Sequence, residues 1–206
     1  MFVGTEYSDG TIRNKMIAGH KRSAIYLANF AGCAAAGILF FAASVLSAFV
    51  AGSLLLDRGE LPPSALLLCA ADEIFMCVAS AAVGTFIGML IPNKAHASAA
   101  GILLALAFLL TGSYLSSRLG ESEMYEAYDL TAEGELVSEM MPNPMYLSGT
   151  SRAVCEWMVD LLPGGQAYQI GNMEVARPYR ILWCAAAETV ALNAAGIWFF
   201  RRKDLK

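Results

Sequence analysis

The stretch SAIYLANFAGCAAAGILFFAASVLSAFVAGSLLL, Ser23 to Leu56, contains no Asp, Glu, Lys, Arg or His. A bilayer core of about 30 Å is crossed by about 20 apolar residues. In lipid a helix satisfies its own backbone N–H and C=O groups. Outward from this stretch lie three more apolar runs, Ser64 to Ile91, Ala95 to Leu115 and Tyr179 to Phe200. All are continuous rather than alternating, so they predict helices and not barrel strands. The first run, taken from Ala24 to Leu56, would reach about 50 Å at 1.5 Å per residue and must tilt, bend or protrude. The expected fold class is all-α, a polytopic membrane bundle of four transmembrane helices. Residues 1–22 form a cytoplasmic segment and 23–115 hold three spans. Residues 116–178 form an extracellular loop with short helices, and 179–206 the last span with a basic tail.

Composition agrees. The 206 residues are 57% hydrophobic and 16% charged, with a mean hydropathy of +0.51, against about 25% charged in soluble domains, so a soluble or disordered chain is excluded. A net charge of −4 with no basic, aromatic-interleaved stripe gives no nucleic-acid partner. Cys33, Cys69, Cys77 and Cys184 lie in apolar runs and only Cys155 in a polar one, so no disulfide framework is expected. There is no H-E-x-x-H or paired Cys/His spacing for a metal, and His96 reads as a solvated interfacial residue. Met1 to Gly4 is followed at once by polar residues, unlike a signal peptide.

With four spans, both termini share a side. Arg13, Lys15, Lys21, Arg22, Lys94, Arg201, Arg202, Lys203 and Lys206 gather there; Arg58, Arg118, Arg152, Arg177 and Arg180 fall opposite. The first set clusters at helix ends, so the positive-inside rule places both termini in the cytoplasm of a plasma-membrane protein. The acids Glu121, Glu123, Glu126, Asp129, Glu133, Glu135 and Glu139 fall in the outer loop. Tyr179, Trp183 and Trp198 read as interfacial anchors.

The segment ahead of the first span reads as a short helix over Asp9 to Gly19. Ser8 or Asp9 is its candidate cap, Ile12 and Met16 share a face, and Gly19 is its left-handed stop. Such a helix is either a membrane-surface anchor or a docking element for a cytoplasmic partner. Its residues, Glu6-Tyr7-Ser8-Asp9-Gly10-Thr11-Ile12-Arg13-Asn14-Lys15 and then Gly19-His20-Lys21-Arg22-Ser23-Ala24-Ile25-Tyr26-Leu27, resemble the first cytoplasmic loop of ABC-2-type transporter permeases. Asn143-Pro144-Met145-Tyr146, Glu156-Trp157, Leu162-Pro163-Gly164-Gly165-Gln166 and the ending Phe199-Phe200-Arg201-Arg202-Lys203 are similar to the family's later segments.

The resemblance implies a membrane permease subunit of an ATP-driven exporter, working as a homo- or heterodimer with a separate ATPase subunit. Glu6, Tyr7, Gly10, Thr11, Ile12, Arg13, Met16, Gly19 and Arg22 would form the coupling site. It also implies that two of the family's six spans would be missing here, that Asn29 stands where a lysine is common, and that the outer segment forms a lid or re-entrant helices. The chain has no G-x-x-x-x-G-K-[ST] loop, so ATP would be bound by the partner; no cofactor and no enzymatic activity are expected of this chain.

Four polar groups interrupt the spans. Asp72 and Glu73, counted about 20 residues back from Ile91, are expected at the outer interface. Glu188, mid-span, is a candidate for the transport path or an interhelical contact, its charge offset by protonation or by a hydrogen bond from Asn193 or a neighbouring helix. Gly84 and Gly88 form a G-x-x-x-G pair suited to close packing, within the chain or between copies. Arg152 to Leu162 reads as an amphipathic helix with Val154, Trp157, Met158 and Leu161 on one side, ended by Pro163-Gly164-Gly165. Two rival readings stand beside the exporter: a membrane-embedded enzyme using Asp72, Glu73, His96 and Glu188, whose expected depths disagree, and a fragment without activity of its own.

Overall fold

The computed structural model describes residues 2–55, 63–130, 136–173 and 175–203. Leu56, Arg58, Glu133, Glu135 and Lys206 of the sequence reading lie outside them. Two short helices, α1 (Phe2–Ser8) and α2 (Thr11–Ile17), precede three long ones, α3 (Arg22–Leu55), α4 (Pro63–Leu90) and α5 (Lys94–Gly120). An antiparallel hairpin follows, β1 (Met124–Leu130) with β2 (Leu136–Pro142), in a register pairing Tyr125 with Met141 and Tyr128 with Ser138. Then come α6 (Gly149–Leu161), α7 (Pro163–Gly171) and α8 (Pro178–Arg202). Helices α3, α4, α5 and α8 are long and apolar enough to cross a membrane, so the fold is an all-α four-span bundle carrying one small sheet. The hairpin was not foreseen.

The bundle is built inside out relative to a soluble protein. Leu39, Phe40, Leu46, Phe49, Leu103 and Leu110 are exposed, where lipid tails would solvate them. The interior holds small side chains, Ala79, Ala82 and Thr85 on α4 and Ala185 and Gly196 on α8, which let helices approach closely. Helix α4 is central, packed on α3 and α8, whereas α5 is held mainly through α7. The Tyr26 ring lies over Gly196, and a Cβ there would overlap it. Gly196→Val is therefore expected to cost about 1–3 kcal/mol by overpacking. A fall in unfolding midpoint in micelles, smaller when Gly196→Val is made in a Tyr26→Ala background than in the wild type, checks this.

Both termini sit at one end of the bundle, the terminal face. There Arg22 donates to the Phe200 and Arg201 carbonyls at 3.1 Å each, and also to that of Lys203. Lys203 donates to the Met89 and Leu90 carbonyls at 2.9 Å each. Each cation thus serves the last turn of a helix, whose carbonyls have no partner within it and whose dipole favours positive charge.

Candidate functional site

The N-terminal segment forms a cassette clamped onto the terminal face. Chain reversal at Gly10, in the left-handed conformation at φ 69°, separates α1 from α2. The helix expected over Asp9 to Gly19 is α2, shorter than expected and preceded by a second helix, α1; Gly10 rather than Ser8 or Asp9 occupies its N-cap position. The left-handed stop at Gly19 is present, at φ 89°.

Glu6 is the cassette's hub. Its carboxylate accepts from Lys15 of α2 and, at 3.0 Å, from Asn29 of α3, joining three helices. Tyr7 donates to the Met89 carbonyl at 2.6 Å and receives Lys203 at 3.0 Å. Burial pushes the Tyr7 hydroxyl up to about 12 and the Lys203 ammonium down to about 8. Beneath this layer Val3, Ile12, Ile25, Tyr26, Met89 and Phe200 form one apolar cluster, with Met16 packed against it.

Ile12 is 2% exposed, so the face it shares with Met16 is turned toward the bundle and is not a free docking surface. Thr11 is half-buried and Arg22 is engaged with α8. What α2 presents outward is Arg13, Asn14 and Ile17, the last 77% exposed.

At the opposite face α6 and α7 form a helical hairpin that dips beside α5. Its tip, Pro163-Gly164-Gly165, lies against Phe108, Leu109 and Gly112, where any Cβ on Gly112 or Gly164 would overlap backbone of the other helix. Phe108 is 12 residues before the end of α5, about 18 Å of helix. The turn therefore packs well down the side of α5, and backbone groups shielded there need partners within the protein. Gln166 supplies one: its amide donates to the Asp160 carbonyl at 2.9 Å and to that of Leu161 at 3.3 Å. Helix α6 ends at Leu161, where the sequence reading ended it, and Pro163 at once opens α7.

Charge holds the hairpin to α8. Asp160, fully buried, accepts from Gln169 at 2.9 Å, from Arg177 at 3.0 Å and from Arg180. Glu156 pairs with Arg177 at 2.9 Å and Arg152 at 3.4 Å. Arg180 reaches the Glu156 carbonyl at 3.0 Å and lies 4.3 Å over the Trp157 ring. A polar cavity of about 530 Å³ opens between the hairpin and the end of α5, lined by Ser116, Glu121, Arg152, Glu156, Gln169 and Arg177. Sequence reasoning missed this network, although Glu156 and Asp160 stand one helical turn apart, as do Arg177 and Arg180. The face Val154, Trp157, Met158 and Leu161 points outward, all four exposed.

The polar residues of the spans do not converge on one another. Asn193 donates to the Thr189 carbonyl at 2.8 Å rather than to Glu188, whose Oε2 is buried without a partner among the described residues. Asp72 is not exposed at the rim of the bundle but fully buried within it, and both carboxyl oxygens lack a hydrogen-bond partner among the described residues. Chain length alone fixes depth along a helix but not which side faces a neighbour. Gly88 packs on Val3 within the chain, whereas Gly84 meets nothing. His96 is exposed.

This architecture defines a multi-pass membrane protein with a cassette locked at one end and, at the other, a helical hairpin packed along α5. No family model, characterised protein or solved structure matches the chain.

Proposed function

We propose that the chain is the membrane permease subunit of an ATP-driven exporter of the ABC-2 type. It would work as a dimer of membrane subunits in the plasma membrane, with both termini cytoplasmic and ATP bound and hydrolysed by a separate subunit. One observation carries the reading: α2 cannot move alone. Glu6, Tyr7, Ile12, Arg22 and Lys203 tie the cassette to the ends of α3, α4 and α8, so a push on its outer face is delivered to three spans together. The resemblance of Glu6 to Leu27 to a coupling loop and the basic residues at this face support the same orientation. The re-entrant α6–α7 hairpin and its polar cavity would line the exit, with Glu188 and Asn193 on the path-forming helix α8.

The contact with the ATPase falls to Arg13, Asn14 and Ile17. Ile17→Asp is expected to change stability by less than about 0.5 kcal/mol, being exposed, while lowering co-purification of the ATPase at least tenfold. Ile12→Asp instead buries a charge and is expected to cost about 3 kcal/mol or more of stability. Affinity capture from native membranes beside thermal unfolding separates the two. Wild-type protein that captures no nucleotide-hydrolysing subunit, or Ile17→Asp that captures it undiminished, overturns the assignment.

A further inference from the structure

Helices α4 and α5 are joined at their ends but make few direct contacts along their length. Between them run two adjoining apolar cavities of about 280 Å³ each, which share Gly84, Ile87 and Gly101. The cleft is bounded by Val3 and Gly4 of α1 at the terminal face and by Pro163 and Gly164 at the hairpin tip. At Gly84 and Gly101 a Cβ would meet nothing within 4 Å, so the chain itself leaves the floor open.

We propose that this cleft holds one acyl chain of an anionic phospholipid, with the headgroup phosphate on Lys94. From Lys94 to Phe108 the cleft runs 14 residues along α5, about 21 Å, which suits a lipid tail reaching from one headgroup layer toward the midplane of a core about 30 Å thick. A helix of another subunit, about 10 Å across and about 30 Å long, takes up on the order of 2,000 Å³, several times the space of two cavities of about 280 Å³ each. The lining is apolar but for the hydroxyls of Ser80 and Ser98 and, at the terminal face, Lys94, which stands exposed and has no carboxylate paired with it among the described residues. A dry apolar slot beside lipid fills with lipid rather than water, and a single lysine at its mouth selects a negative headgroup.

The test uses the full-length protein, delipidated in detergent and titrated with dioleoyl phosphatidylglycerol or dioleoyl phosphatidylcholine under native mass spectrometry. The wild type is expected to take up one tightly held lipid, phosphatidylglycerol about fivefold tighter than phosphatidylcholine. Lys94→Gln should bring the two lipids to parity. Gly84→Leu should weaken both at least tenfold with an unchanged unfolding midpoint, because its side chain enters open space. If Gly84→Leu fails to fold, Gly101→Leu replaces it on the same grounds, and a diazirine on the acyl chain should label Ser98 or Ile102 in the unmutated protein. No saturable first lipid, undiminished binding in a folded Gly→Leu variant, labelling elsewhere only, or a bound polypeptide in place of lipid would each overturn the proposal.

Discussion

Asp160→Ala is expected to lower stability by about 3–5 kcal/mol, the cost of removing one partner from a buried ionic network. The carboxylate is fully buried and accepts from Gln169, Arg177 and Arg180, on two different elements. Without it, Arg180 keeps only the Glu156 carbonyl and its stacking on Trp157, and Gln169 loses its acceptor. The side chain of Arg177 is 35% exposed, so water compensates part of its loss and the effect should fall toward the lower end of that range. Arg152→Ala is the contrast: its pair with Glu156, at 3.4 Å with 37% of the arginine side chain exposed, should be worth less than about 1 kcal/mol. Thermal unfolding in micelles measures both, and equal losses would show that Asp160 does not anchor the hairpin to α8.

The four spans were legible because a bilayer imposes a length and a composition that few soluble segments meet. The direction in which a helix faces was not legible, for the same physical reason. In water an apolar face is the buried one, and Ile12 in the cassette obeys that rule, so reading it as a free docking face set it on the wrong side. At the membrane the rule reverses. Trp157 and Leu161 of α6 face outward while Asp160 faces in, an arrangement that periodicity alone cannot orient. Helix α1 was hidden because the five residues before Glu6 give too little pattern; Val3 seated on Gly88, with Glu6 and Tyr7 bonded to neighbouring helices, holds it in place. Asp72 failed differently. Counting residues placed its depth, but its burial depends on the helices packed around α4, which no count from Ile91 contains.

Gly164→Val should have the larger effect still. The position lies against the Phe108 carbonyl so closely that a Cβ would overlap the α5 backbone, and a helix backbone cannot yield as a side chain does. The expected result is withdrawal of the α6–α7 tip from α5, with a loss of more than about 3 kcal/mol. Amide hydrogen exchange over residues 163–171 would then speed up, because groups now satisfied within the hairpin would open to solvent. Gly112→Ala attacks the same contact from α5, so the double variant should cost little more than either change alone. Gly171→Ala, two turns beyond the tip where a Cβ meets nothing within 4 Å, should leave exchange unchanged. If Gly164→Val exchanged as slowly as the wild type, the hairpin would owe its position to the charges on α8 rather than to glycine contact. The Asp160 and Gly164 variants would then have exchanged ranks, which separates the two ways of holding the turn in place: a charge clamp at the rim or backbone contact at depth.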